Sequence, residues 1–153
     1  MEKKKIVSDW MKKKVISIHQ EATVKEAAAL MLENRIGTLP VVDEKGALIG
    51  LATMQDVLQI FLPDFVELLS NVDFIKDFGA LKTPSTGSLA EAGSLTVADI
   101  MEEPVAVEAN SGLMRALSVM HKHNIQDLAV TREGILVGIA SRVDIGRGFL
   151  SNW

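Results

Sequence analysis

The sequence predicts an α/β (α+β) protein built from two copies of one β-α-β-β-α unit, and three observations predict it. The stretch Gly50-Leu51-Ala52-Thr53-Met54-Gln55-Asp56 returns as Gly138-Ile139-Ala140-Ser141-Arg142-Val143-Asp144, 88 positions later. The elements that precede each copy follow the same order. Helix-start signals fall at corresponding places in both halves.

In the first half, Val15-Ile16-Ser17-Ile18 is short and β-branched, as a strand should be. Thr23-Val24-Lys25-Glu26 has capping-box spacing and opens a helix, with Val24, Ala27, Ala28 and Met31 on one face and an end between Asn34 and Gly37. Thr38 to Val42 forms a second strand, Asp43 to Gly46 a turn, and Ala47 to Ala52 a third strand that closes a hairpin. Thr53 caps the next helix.

The second half repeats this with Val105-Ala106-Val107 as strand, Ser111 as candidate cap, and Leu113, Ala116, Leu117 and Met120 as the helix stripe. Leu128 to Val130 and Ile135 to Ala140 form the hairpin, and Ser141 caps the last helix, which Gly146 and Gly148 weaken. Ser17-Ile18 aligns with Ala106-Val107 at an offset of 89, and Gly50 with Gly138 at 88, so one residue is missing from the second hairpin turn. The organisation is therefore residues 1–60 as repeat one, 61–95 as a helical and loop insertion, and 96–153 as repeat two. Within the insertion, Phe61, Phe65, Leu68, Leu69, Val72 and Ile75 approximate a helical stripe, and residues 83–93 read as a loop.

Composition narrows the function. The 153 residues are 48% hydrophobic and 24% charged, ordinary for a globular domain pair, and the net charge of −4 disfavours duplex nucleic acid as a partner. No apolar run approaches the roughly 20 residues of a membrane span. With no cysteine and no secretory signal the expected setting is cytoplasmic. His121 and His123 point to different sides of a helix, so no metal site is expected, nor is any cofactor. No nucleophile elbow or Gly-Lys-Ser/Thr phosphate loop appears, so the chain is not read as an enzyme.

A hydroxyl and a carboxylate three residues apart at a strand-to-helix junction have two uses. Thr53 with Asp56, or Ser141 with Asp144, can tie off its own helix as a capping box. The same groups can hold a ribose, the acid accepting from a vicinal diol through charge-assisted bonds of roughly 1.5 to 3 kcal/mol each where water is excluded. Both roles can coexist.

With these residues, together with Met11, Leu39-Pro40-Val41-Val42-Asp43, Asp99-Ile100-Met101, Leu128 and Val130, the chain resembles a tandem pair of CBS (cystathionine-beta-synthase-type) domains, a Bateman module. The resemblance covers nearly everything outside the insertion and the tails. It implies two repeats packed through their sheets with pseudo-two-fold symmetry, two clefts for AMP, ADP, ATP or S-adenosylmethionine, and a homodimer. It further implies that Asp56 and Asp144 grip ribose hydroxyls and that Thr53 and Ser141 contact ribose or phosphate. On the same pattern Leu51, Ile139, Ile36-Gly37-Thr38 and Ile125-Gln126-Asp127 line the adenine side, and the backbone at Ser17-Ile18 and Ala106-Val107 reads the base edge. Arg142, directly after its hydroxyl, is suited to phosphate where repeat one has Met54. Ala129 departs from the pattern, standing where Pro40 stands in repeat one. The expected function is a regulatory adenine-nucleotide sensor acting through dimerisation or an unidentified protein partner. The alternative is a ligand-free interaction or dimerisation module working through the Phe/Leu-rich insertion.

Overall fold

The computed structural model of the chain describes residues 4–61 and 91–153. Two three-stranded sheets carry the fold. In the first, β1 (Ile18–His19) runs parallel to β2 (Thr38–Val42), which pairs antiparallel with β3 (Leu48–Thr53). In the second, β4 (Ala106–Glu108), β5 (Asp127–Arg132) and β6 (Ile135–Ser141) repeat that order and those directions. Helices α1 (Val24–Asn34) and α2 (Met54–Gln59) belong to the first unit, and α3 (Val97–Ile100) precedes the second. Helices α4 (Leu113–His123) and α5 (Arg142–Phe149) belong to the second.

The duplication extends to irregularities. The β2/β3 register shifts between Val41 and Val42, and the β5/β6 register between Val130 and Thr131, at equivalent points. Helices α1 and α4 both end on a left-handed residue, Arg35 (φ 53°) and Asn124 (φ 51°), which turns the chain back toward the sheet. The predicted capping box is present on α1, Thr23 and Glu26 exchanging bonds of 3.1 and 3.0 Å. Its predicted counterpart is not. Gly112 occupies the N-cap of α4 without a side-chain bond, and Ser111 instead offers its carbonyl to the Val7 N–H at 2.9 Å.

The strands differ slightly from expectation. Residues 15–17 lie outside β1, which begins opposite Val41, whereas β4 gains the pair Ala106↔Ala129. Proline supplies no N–H for a ladder, so Pro40 defers pairing by one residue, and Ala129 at the same place does not. The last helix is intact despite its glycines. Gly148 is required there, since a Cβ would sit 2.6 Å from Leu113 and 3.1 Å from Trp10. Most of the expected apolar stripe and loop of the insertion fall on residues 62–90, outside the described residues; residues 91–93, read from the sequence as loop, are helical.

Each core is completed by the other repeat. Val7, ahead of the first unit, is fully buried among Val107, Leu113, Met120, Leu128 and Ile145 of the second. Val97, ahead of the second unit, is fully buried among Val24, Met31, Leu39 and Val57 of the first. The docking bonds correspond. Val7 and Ser8 N–H reach Ser111 and Ala109 carbonyls at 2.9 and 3.0 Å, and Val97 and Ala98 N–H reach Ala22 and Gln20 at 2.8 and 3.0 Å. Burial of such a valine stabilises by about 1.5 kcal/mol or more. The hairpin turns also join, Leu48 N–H to the Gly134 carbonyl and Leu136 N–H to that of Gly46, both at 3.0 Å.

Candidate functional site

Both motifs lie where the last strand of a sheet becomes a helix, β3 into α2 and β6 into α5. The Thr53 hydroxyl accepts the Asp56 N–H at 3.1 Å while Asp56 Oδ2 accepts the Thr53 N–H at 3.0 Å. Ser141 and Asp144 exchange the same bonds at 3.1 and 2.9 Å. Of the two uses open to this spacing, capping is made in both copies.

The arm from the opposite repeat crosses each motif. The backbone of Lys12 pairs with Ile139 in both directions at 2.8 and 3.0 Å, and that of Glu102 pairs with Leu51 in the same way and at the same distances. These crossings require glycine in the strand beneath them. A Cβ on Gly50 would meet Met101 and stand 3.2 Å from the Glu102 carbonyl, and one on Gly138 would meet Met11 and stand 2.9 Å from that of Lys12. Lys12 and Glu102 are thus equivalent residues of opposite charge, each delivered beside a capping acid.

The consequences diverge. Lys12 Nζ lies 3.0 Å from Asp144 Oδ2, the same oxygen that caps α5, and Arg147 approaches Oδ1 at 3.8 Å. Only 4% of the Asp144 side chain is exposed, against 62% of Lys12. Burial raises the Asp144 pKa, but the Ser141 N–H, the Lys12 ammonium and the Ser141 side chain together hold it below the ordinary carboxylate value. In the first unit, burial first, then a hydrogen bond with Asp56, then the Asp56 charge push Glu102 above its ordinary value. Asp127 is also raised, chiefly by burial and secondarily by Asp144, with Lys12 opposing.

The remaining expected residues separate into groups. Ile36-Gly37-Thr38 and Ile125-Gln126-Asp127 do adjoin the motifs: Thr38 pairs with Thr53 and Asp127 with Ser141, while Gly37 and Gln126 carbonyls accept the Met54 and Arg142 N–H at 2.9 and 3.0 Å. Arg142 is exposed and donates Nε to the Ile125 carbonyl at 3.0 Å, turned back on its own repeat. Ile18, Leu51 and Val107 are buried, and the Leu51 backbone is covered by its pairing with Glu102. Ser17 lines a cleft of about 190 Å³ between the repeats, with Lys13, Val15, Val42, Leu136 and Val137. Neither Lys12 nor Glu102 is among the residues that the sequence assigns to the site, although each directly follows a methionine, Met11 or Met101, that the resemblance singles out.

The architecture defines a duplicated α/β module whose halves are locked by exchanged arms, with a hydroxyl–acid pair under each crossing. The chain belongs to the CBS domain family, which it matches over residues 7–63 and 97–149. An uncharacterised protein of Methanocaldococcus jannaschii is 30% identical over 140 residues, 91% of this chain, though the chain spans only 30% of that protein's length. The CBS domain-containing protein YhcV of Bacillus subtilis is 29% identical over 147 residues, 95% of this chain and 86% of YhcV. Among solved structures, CBSX2 in complex with AMP shares the fold with a TM-score of 0.70 at 24% identity, over 95% of this chain and 96% of that one. No helix among the described residues is long and apolar enough to cross a membrane.

Proposed function

We propose that the chain is a regulatory module whose two motifs take an adenosine-containing ligand, AMP, ADP, ATP or S-adenosylmethionine, and report its presence through dimerisation or a protein partner. The observation that carries this reading is the Lys12–Asp144 contact. Among the described residues Asp144 Oδ1 has only Arg147 at 3.8 Å, so it retains capacity for a ribose hydroxyl, and Lys12, once displaced, is free to meet a phosphate. Lys12 belongs to the arm that crosses the second unit, so displacement there strains a segment rooted in the first. Thr53, Asp56, Ser141 and Asp144 are assigned the sugar, Thr38, Leu51, Asp127 and Ile139 with their neighbours the adenine side, and the AMP complex of a protein sharing this fold supports the ligand class.

Isothermal calorimetry with the four ligands tests the reading. Binding that weakens about ten- to a hundredfold in Asp144→Asn or Asp56→Asn supports it, and absence of heat and of thermal shift at millimolar ligand rejects it. A second reading, homodimerisation without ligand, is favoured by Leu32, Leu58, Met114 and Val143, which are 58–69% exposed on α1, α2, α4 and α5. Native mass spectrometry of freshly purified protein reads oligomer and retained ligand together.

A further inference from the structure

Among the described residues, α1, α2 and α5 begin with a reciprocal capping box and α3 with the Thr96 N–H held by Asp99, whereas α4 has neither. The positions that supply the box on α1, Thr23 and Glu26, are Gly112 and Arg115 on α4. Gly112 gives α4 no side-chain cap, and a cation in a helix's first turn opposes the helix dipole. Arg115 therefore works against its own helix.

What Arg115 does is line a groove of about 450 Å³ between α4 and the chain entering β4. Ser118, Lys122 and His123 continue along its α4 wall, and Pro104 and Val105 form the other side. No acid lines it, and none of the four polar side chains has an ion-pair partner among the described residues. Repeat one shows the opposite charge on the same face, with Glu26, Ala29, Glu33 and Asn34 at the equivalent positions. In a chain of net charge −4 this basic groove is a local feature of the second repeat. It is open, with Arg115, Ser118, Lys122 and His123 all exposed, whereas small-molecule sites enclose most of their ligand.

We propose that this groove docks an extended acidic segment of a partner protein. Arg115 and Lys122 are seven residues apart, about 10 Å along the helix. In a polyproline-type strand, residues i and i+3 share a face about 9 Å apart. Two acids three residues apart therefore meet both cations, with an apolar residue between them over Val105 and the half-buried Val119. This assignment stands apart from the nucleotide reading, since neither motif contributes to the groove.

The test is fluorescence anisotropy of a labelled peptide with the core Glu-Pro-Leu-Glu, with a Lys-Pro-Leu-Lys peptide and inorganic tripolyphosphate as comparisons. The expected result is salt-sensitive binding of the acidic peptide, weakened about tenfold by Arg115→Glu with Lys122→Glu, and a reversed preference for the lysine peptide in that variant. Both substitutions are on exposed positions, and circular dichroism verifies the fold. Absence of acidic-peptide binding at millimolar concentration, binding indifferent to the double reversal, or tripolyphosphate binding without peptide binding each overturns the proposal.

Discussion

The two motifs differ more in what reaches them than in what they are. Thr53/Asp56 and Ser141/Asp144 make the same two capping bonds to within about 0.1 Å, at the end of equivalent strands, under equivalent crossings. One crossing brings Lys12 and the other Glu102. The first neutralises a buried acid, and the second sets two carboxyls against each other. Duplication preserved the geometry, and a single arm residue in each half sets the charge, so the two motifs stand in different electrostatics on the same frame.

Three experiments sharpen that contrast. The largest effect is expected from adding a methyl under the crossings. Gly138→Ala should lose about 2–3 kcal/mol because its Cβ meets both Met11 and the Lys12 carbonyl, which is held by the paired backbone. Gly50→Ala should lose about 1–2 kcal/mol, since the carbonyl there stands farther off. Urea denaturation of both variants compares them, and equal losses would mean that the two crossings are equally tight.

Next, Asp144→Ala should cost about 2 kcal/mol, through the lost cap and the lost contact with Lys12, against about 1 kcal/mol for Asp56→Ala. The Asp144 contribution also has a pH signature. Its pKa is depressed in the fold, so the stability it adds is present above the unfolded carboxylate value and disappears as pH falls through the folded one. The gap between wild type and Asp144→Ala should therefore narrow at acid pH in thermal melts.

The smallest effect has the opposite sign. Glu102 is raised in the fold, so it favours the folded state only when protonated and opposes it as pH rises through its folded value. Glu102→Gln should raise the melting temperature by a degree or two at pH 7 and leave it unchanged at pH 4 and below. An equal gain at both values would show that Glu102 is not raised in the fold.

Much of this was legible in the chain. The recurrence of the Gly-x-x-Thr/Ser-x-x-Asp stretch, the offsets of 89 and 88, and apolar periodicity gave the two units, because those signals are local. Thr23 and Glu26 were read correctly as a box for the same reason. Ser111 is not the cap of α4, since a hydroxyl near a helix start is only a candidate until the backbone shows who occupies the N-cap, and here it is Gly112. The opposition of Lys12 and Glu102 was invisible to local reasoning, since each acts on a motif more than 45 positions away in sequence, across a crossing that only the fold creates. Gly146 and Gly148 suggested a frayed helix, yet Gly148 is where Trp10 and Leu113 come closest. A propensity argument counts the missing side chain and cannot see the neighbour that needs the room.

The traded arms also bear on how the molecule comes apart. Removing the first dozen residues would strip Val7 and Trp10 from the C-terminal sheet, so damage at one end of the gene would be felt at the other. Neither half is a finished object on its own, and heating should dissolve both in a single transition rather than in two.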